Sequence, residues 1–466
     1  VAHARPNIAL ELSKDGVGKQ LAADYYAAKG RAASGTARSD ALAVLEGQAL
    51  QQSPEQVFLR MGRAGDSIVI DLGTPDGQVV VVSSSGWKLE AKSPVLFRRN
   101  GLGLAFVLPV KGGEMTKMRA LLNVDDSQFR LLVGWLVATF LPDVPQPILV
   151  ITGQQGTAKT TTAKMLLSLF DPSEADVQSQ PSNEENWAVA ARAVAGIGLD
   201  NISRMPPWFQ DALCKVVTGG AFVRRARYSD DSPSVLKIQR AVVLTTINPG
   251  ALQGDVADRM LKIELAPVTS GQRRDASEVA TAFEQSRGET FGALLALLVE
   301  VLRVLPEVEL SERPRMADFA GVLAALDKVT GWTTLQDYLS AVEAVARDVV
   351  DGDSFATALV DLVREQGQWT GTCGSLLAVV EDGKHHQDWP RTPRGVAEKL
   401  QRLAPALQRG GVVVARLAHG RAGTQYRLTA VGSDLCASCG LVLNPIDIAD
   451  GQTTHASCDP RNEEIF

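Results

Sequence analysis

The stretch GQQGTAKTT, residues 153–161, constrains the fold more than any other part of the chain. It follows the apolar run PILVIT (147–152) and precedes TTAKMLLSLF (161–170), so a buried strand enters a loop that opens a helix. A phosphate loop needs this order, because its backbone N–H groups wrap the phosphates at the start of a helix. The usual pattern is G-x-x-x-x-G-K-[ST]; here Gly153 and Gly156 supply flexibility, while Ala158 takes the second glycine position. Lys159 and Thr160 bring the ammonium for the outer phosphates and the hydroxyl for Mg²⁺. Ala158 is expected to add only a methyl, at a point where the helix has begun and positive φ is no longer required. ATP and Mg²⁺ are the expected cofactors, held across Gly153, Gly156, Thr157, Ala158, Lys159, Thr160 and Thr161. The alternative is an ordinary glycine-containing strand-to-helix turn.

The segments after the loop narrow the class. Strand and helix patterns alternate to about residue 267, the signature of an α/β fold with a parallel sheet. The strand in AVAGIGLDNIS (193–203) ends in Asp200, placed to hold Mg²⁺ through water beside Thr160. Then comes a helix, a Thr-Gly-Gly turn, and a hairpin carrying Arg224, Arg225 and Arg227, with Lys215, Lys237 and Arg240 nearby. Only Asp230 and Asp231 oppose those cations, as a groove for phosphodiester backbone requires; a solvated, charge-protected sheet edge is the alternative. A net charge of −6 argues against a uniformly basic coat but leaves room for a local one.

These residues carry a resemblance. The loop at 153–161, LDN at 199–201, TGGAFVRRARY at 218–228, TTIN at 245–248 and ADRM at 257–260 resemble the superfamily-three branch of AAA+ ATPases. That branch comprises the helicase modules of DNA viruses, phages and mobile-element primase-helicases, and the chain looks closest to a phage and actinobacterial group within it. The likeness covers roughly residues 55–430, is densest at 147–267, and is most specific at the Thr-Gly-Gly hairpin. It implies an ATPase and DNA helicase in which Lys159 and Asp200 serve catalysis and Thr246 or Asn248 is the sensor, with Asn248 carried forward. It further implies that Arg259 is an arginine finger offered to a neighbouring subunit in a hexameric ring. The alternative for Arg259 is a surface arginine in a helix-capping turn. The hairpin residues Arg224, Arg225, Arg227 and Lys237 would grip single-stranded DNA in the central channel, with a primase or replication protein as a further partner. Asn201 departs from the pattern, since a second acid often stands after the first. An amide orients water but takes no proton, so hydrolysis is expected to be slow or to draw on Glu184 or Glu185. A nucleotide-switched binding module and a defence or signalling ATPase therefore stay open.

The rest of the chain is read from its own residues. Residues 1–110 give helices and then short β runs in a small α+β region, the ATPase core spans 115–270, and 271–350 is helical. Residues 351–430 are expected to form a winged helix, serving DNA or protein contact, with Arg391, Arg394, Lys399 and Arg402 on its third helix. At 431–466, Cys436, Cys439, His455 and Cys458 are spaced C-x-x-C, fifteen residues, H-x-x-C. Two such pairs close a tetrahedral Zn²⁺ site, so a zinc ribbon-like tail is expected. The longest apolar stretch, LLVGWLVATFLP (131–142), is too short to span a bilayer, and no signal pattern opens the chain; a cytoplasmic protein is expected. The chain starts on Val1 rather than Met, as expected of a piece of a longer protein.

Overall fold

The computed structural model describes residues 2–5, 7–225, 233–247, 254–268, 274–380, 389–420 and 423–430. By its contacts the chain divides into two compact units. The first comprises residues 1–203, 211–248 and 261–339; the second comprises 204–210, 249–260 and the chain from 340 onward.

The first unit is built around a four-stranded sheet. Its strands are β1 (Ile148–Thr152), β2 (Gly196–Leu199), β5 (Ala241–Thr245) and β6 (Met260–Glu264), while β3 (Ala221–Arg225) and β4 (Pro233–Lys237) form a separate hairpin. The sheet order is β2-β5-β1-β6, with β2 parallel to β5 and β5 parallel to β1. Strands β1, β2 and β5 are buried along their whole length, which is why they read as continuous apolar runs without alternation. Helix α1 (Lys159–Phe170) comes directly after the loop and buries Ala163, Leu166, Leu167 and Phe170. Helix α2 (Glu184–Ala193) starts at Asn183, whose side chain accepts from the Asn186 N–H, and ends just before β2. The mixed α/β class and the parallel core read from the sequence are present.

Residues 1–110 belong to this same unit. The helices Val17–Lys29 and Gly35–Ala49 match the helical reading, but the short strands Ala2–Arg5 and Ile8–Leu10 precede them. Strands Met61–Ala64, Ser67–Asp71, Val79–Ser83 and Gly86–Glu90 pair in sequence order as an antiparallel meander. A buried ion pair ties this region to the core. Arg60 Nε donates to Asp171 Oδ1 at 2.8 Å, and Arg60 Nη2 donates to the carbonyls of Leu104 and Pro172, both at 2.7 Å. The other Asp171 oxygen accepts from the Ala195 and Gly196 N–H groups at 2.6 and 2.9 Å, which fixes the entry to β2. Each charge is thus paired and hydrogen-bonded, as burial demands. The helices Ala276–Val304 and Ala317–Thr330 complete the unit, with a break at Leu305–Glu307 where Pro306 falls.

In the second unit, helices Ser354–Gln366, Cys373–Val380 and Pro393–Arg409 accompany strands Gln368–Thr372, Val412–Gly420 and Gly423–Ala430. The strand Gln368–Thr372 (QWTGT) is an addition to the sequence reading; it pairs antiparallel with Gly423–Ala430 and makes the sheet three-stranded. Asp353 caps the first helix through the Phe355 and Ala356 N–H groups and pairs with Lys399 at 2.8 Å. Lys399 is therefore committed within the unit, whereas Arg391, Arg394 and Arg402 are exposed. Among the described residues no helix is long and apolar enough to cross a membrane.

Candidate functional site

The loop leaves β1 through a glycine that no other residue can replace without strain. Gly153 has φ +145°, and a Cβ there would lie 2.7 Å from Thr157 Oγ1 and 3.0 Å from the Leu265 carbonyl oxygen. Gly156 also has positive φ, and Thr157 is buried with its hydroxyl donating to the Gln154 carbonyl at 2.9 Å. The Lys159 ammonium lies over the loop, donating to the carbonyls of Gly153 at 2.8 Å and Gln154 at 2.9 Å. The close turn this requires is the reason two glycines stand in the motif.

Ala158 corrects the sequence reading. It does not sit in the helix proper but caps it in the left-handed region, at φ 66° and ψ 29°. That conformation costs an alanine about 1–2 kcal/mol, because its Cβ crowds the next carbonyl. Glycine is usual at this position for that reason. Among the described residues one other non-glycine has positive φ, and it is Asn201, at 55°. Asparagine tolerates that region better than most residues. Both strained positions fall in the candidate nucleotide site, the first at the loop and the second just past Asp200.

Asp200 joins the two. Thr160 Oγ1 donates to Asp200 Oδ1 at 2.8 Å, so the hydroxyl opening α1 and the carboxylate ending β2 meet as expected. Thr245 is a third member, which the sequence reading misses. Fully buried at the end of β5, it donates to the same Asp200 oxygen at 2.6 Å and accepts from the Asn201 N–H at 2.9 Å. Its signal is the polar pair closing an apolar run in AVVLTTIN (241–248), a segment that the resemblance connects only with a sensor. Of the two sensor candidates, Thr246 is described: its Oγ1 is buried with no hydrogen-bond partner among the described residues. Asn248 lies outside the described residues.

Beside the loop a cleft of about 600 Å³ is lined by Leu121, Leu122, Asn123, Met165, Val268 and Arg274, together with Gly156, Ala158, Thr161 and Thr162. A cleft of mixed lining, with Asn123 and Arg274 among its polar side chains, next to a phosphate loop has the size and chemistry for a nucleotide base. These residues come from segments before and after the sheet, so no local motif could have shown them.

The other expected residues fall in several places. Arg259 lies in the second unit, its side chain 9% exposed and its Nη1 bonded to the Asp255 carbonyl at 2.7 Å and to the Asp255 carboxylate. It is buried rather than at the surface, while its bond to the Asp255 carbonyl closes the helical turn Gly254–Ala257, as in the capping alternative. Glu184 is engaged by Lys215 at 3.3 Å, which takes Lys215 out of the free cations assigned to the hairpin. Arg240 likewise leaves the hairpin set: its Nε donates to the Ala191 carbonyl at 2.8 Å, at the end of α2. Arg224 and Arg225 lie on β3, paired in register with Ser234 and Pro233. Lys237 ends β4 and is exposed. Arg227 lies outside the described residues, as do Cys436, Cys439, His455 and Cys458.

The class that this fold and site define is a mixed α/β protein whose parallel sheet carries a phosphate-loop geometry, closed by a threonine–aspartate pair. Residues 115–348, half of the chain, match the family model for the actinomycete integrative conjugative element replication protein, and 355–435 match that for the AICE RepA C-terminal domain. The chain belongs to this family of replication proteins. A comparison with curated proteins found no match. Among solved structures it is similar to the NrS-1 C terminal region, at 12% identity and a TM-score of 0.34, over 76% of this chain and 95% of that one. It is also similar to the JCV helicase, at 13% identity and a TM-score of 0.24, over 50% of this chain and 71% of that one. Scores this low bear on neither activity nor partners.

Proposed function

We propose that this replication protein is an ATP-driven helicase or translocase of superfamily-three type, working on DNA as a ring of identical subunits. The observation that carries the reading is the meeting of Thr160 and Asp200 at 2.8 Å beside Lys159. A hydroxyl and a carboxylate in contact at the mouth of a phosphate loop are the two protein ligands that Mg²⁺·ATP requires. Bound there, Mg²⁺ would neutralise charge on the transferring phosphoryl group. The chain's own part is to hold and orient. Lys159 exchanges the Gly153 and Gln154 carbonyls for phosphate oxygens, and Thr245 fixes the Asp200 carboxylate beside Thr160 through the same Oδ1. The 600 Å³ cleft takes the base. Asn201, whose N–H is held by Thr245, orients the attacking water but takes no proton, so unstimulated hydrolysis is slow.

Arg259 is the finger for a neighbouring subunit's ATP, and Asp255 holds it until that phosphate is offered. The hairpin β3–β4 carries Arg224 and Arg225 to the single strand. The three-helix, three-strand part of the second unit acts as a winged helix. Cys436, Cys439, His455 and Cys458 hold about one Zn²⁺ per chain, as the two paired spacings require; zinc-free protein on metal analysis removes that assignment.

Mixing two inactive variants tests the ring. Arg259→Ala keeps its own ATP site and Lys159→Ala keeps its finger, so co-assembled mixtures should regain part of the hydrolysis that each lacks. Mixtures that assemble yet stay as inactive as the separate variants rule out a finger acting between subunits.

A further inference from the structure

A second cleft, of about 400 Å³, opens in the first unit away from the residues of the loop. Its lining includes Arg60, Arg98, Arg192, Lys237 and Arg240, with Asp143 as the acid among the described lining residues. That acid is already engaged by Arg63, and Arg60 by Asp171. Arg192 pairs with Glu11 at 3.8 Å, both side chains largely exposed to solvent. Arg98, Lys237 and Arg240 have no ion pair among the described residues. Burial and the charge of Arg98 push the Arg240 guanidinium down to about 10, so it stays charged at neutral pH. Burial and Arg192 lower Arg98 as well.

A structural role accounts for part of this cluster. Arg98 Nη2 donates to the Arg192 carbonyl at 2.6 Å and Arg240 Nε to the Ala191 carbonyl at 2.8 Å. Asn100 Nδ2 donates to the Ala193 carbonyl, so three side chains cap the C-terminal turn of α2. Cations suit a helix C-terminus. Capping uses few of the available donors, however. Arg240 Nη1 turns to the Gln239 carbonyl at 2.6 Å, and no described hydrogen bond uses Arg240 Nη2 or Arg98 Nε and Nη1. Partly desolvated guanidiniums that repel each other are costly; Asp171 near Arg240 and Glu11 near Arg98 offset only part of that cost, and a polyvalent oxyanion offsets more through charge-assisted, forked hydrogen bonds.

We infer that this cleft is a phosphate-binding site distinct from the nucleotide loop, in which Arg98, Arg240 and Lys237 grip the phosphate of a polynucleotide strand or a free polyphosphate. Lys237 also ends the hairpin strand β4, so a strand held by the hairpin would reach the cleft without a break. The polynucleotide source rests on the DNA reading given above; the polyphosphate source does not.

The full chain carrying Lys159→Ala silences the loop and leaves the cleft as the anion site to be measured. Inorganic tripolyphosphate should raise its Tm above that in chloride at matched ionic strength, and Arg98→Gln or Arg240→Gln should remove the rise. With a labelled oligo-dT strand, the same variants should lower the slope of log affinity against log salt by about one for each phosphate no longer neutralised. Loss of the Tm response alone assigns a free polyphosphate, and loss of slope assigns the strand. Lys237→Gln, at an exposed position that leaves the α2 cap intact, repeats both readings if an arginine variant fails to fold. An unchanged Tm response together with an unchanged slope in these variants overturns the site. ATP binding that survives Lys159→Ala and also survives the addition of Arg98→Gln to that chain would instead overturn the loop assignment and leave this test standing.

Discussion

The nucleotide loop and the cationic cleft handle phosphate with opposite kinds of donor. The loop is nine consecutive residues whose chemistry is mostly backbone, with one ammonium held by carbonyls five and six residues away. The cleft gathers guanidiniums and an ammonium from residues 60, 98, 192, 237 and 240, each on a different strand, helix or connection. The loop's own donors are contiguous in sequence, although Asp200 and Thr245 reach it from other strands. A dispersed site exists only when the N-terminal region, α2 and the hairpin strand are in place, so its integrity depends on the packing that holds them.

That contrast predicts unequal responses to single substitutions. The largest effect belongs to Lys159→Ala, which should abolish ATP binding in a direct titration and leave the fold unchanged by circular dichroism. Arg98→Gln should bind ATP as the parent does. If Arg98→Gln loses ATP binding too, the two sites are not separate.

Next comes the tie that builds the cleft. Arg60→Ala leaves Asp171 buried without its partner, a change that costs about 3–5 kcal/mol. Denaturant unfolding should show that loss, together with loss of the tripolyphosphate response. A variant within about 0.5 kcal/mol of the parent, the range of ordinary surface changes, would show that the pair does not hold the region.

The smaller effect lies in the loop. Ala158→Gly relieves about 1–2 kcal/mol of left-handed strain, while the extra freedom of glycine in the unfolded chain returns about 0.5–1 kcal/mol. The variant should be more stable by about 0.5–1 kcal/mol, and destabilisation would mean that the alanine methyl has a packing role. Smallest per residue is the hairpin: Arg224→Ala should flatten the salt dependence of oligo-dT binding by about one unit of slope. An equal slope would take Arg224 off the surface that meets the strand.

Legibility in the sequence divides along the same line. The strand–loop–helix order, Lys159, Thr160 and the convergence with Asp200 are readable, because a phosphate loop fixes its neighbours at known spacing. The parallel sheet is legible because strands buried on both faces are continuously apolar. Ala158 is misread, since the backbone conformation at a helix N-terminus leaves no mark in composition. Thr245 is missed because its role depends on β5 lying beside β2, a pairing that no run of residues states. Arg240 goes to the hairpin by proximity in sequence, yet its guanidinium turns to the end of α2. The strand Gln368–Thr372 escapes notice because QWTGT has little apolar alternation and gains its pairing from a strand more than fifty residues later.

The claim at the centre of this account is that nucleotide held by Lys159, Thr160 and Asp200 drives work on DNA. Displacement of a labelled strand from a forked duplex tests it most directly, in the parent chain and in Lys159→Ala, with Mg²⁺ and ATP. Displacement by the parent and none by the variant is expected, with ATP hydrolysis rising when single strand is added. A parent chain that binds the fork and hydrolyses ATP, yet displaces nothing and is not stimulated by DNA, would contradict it.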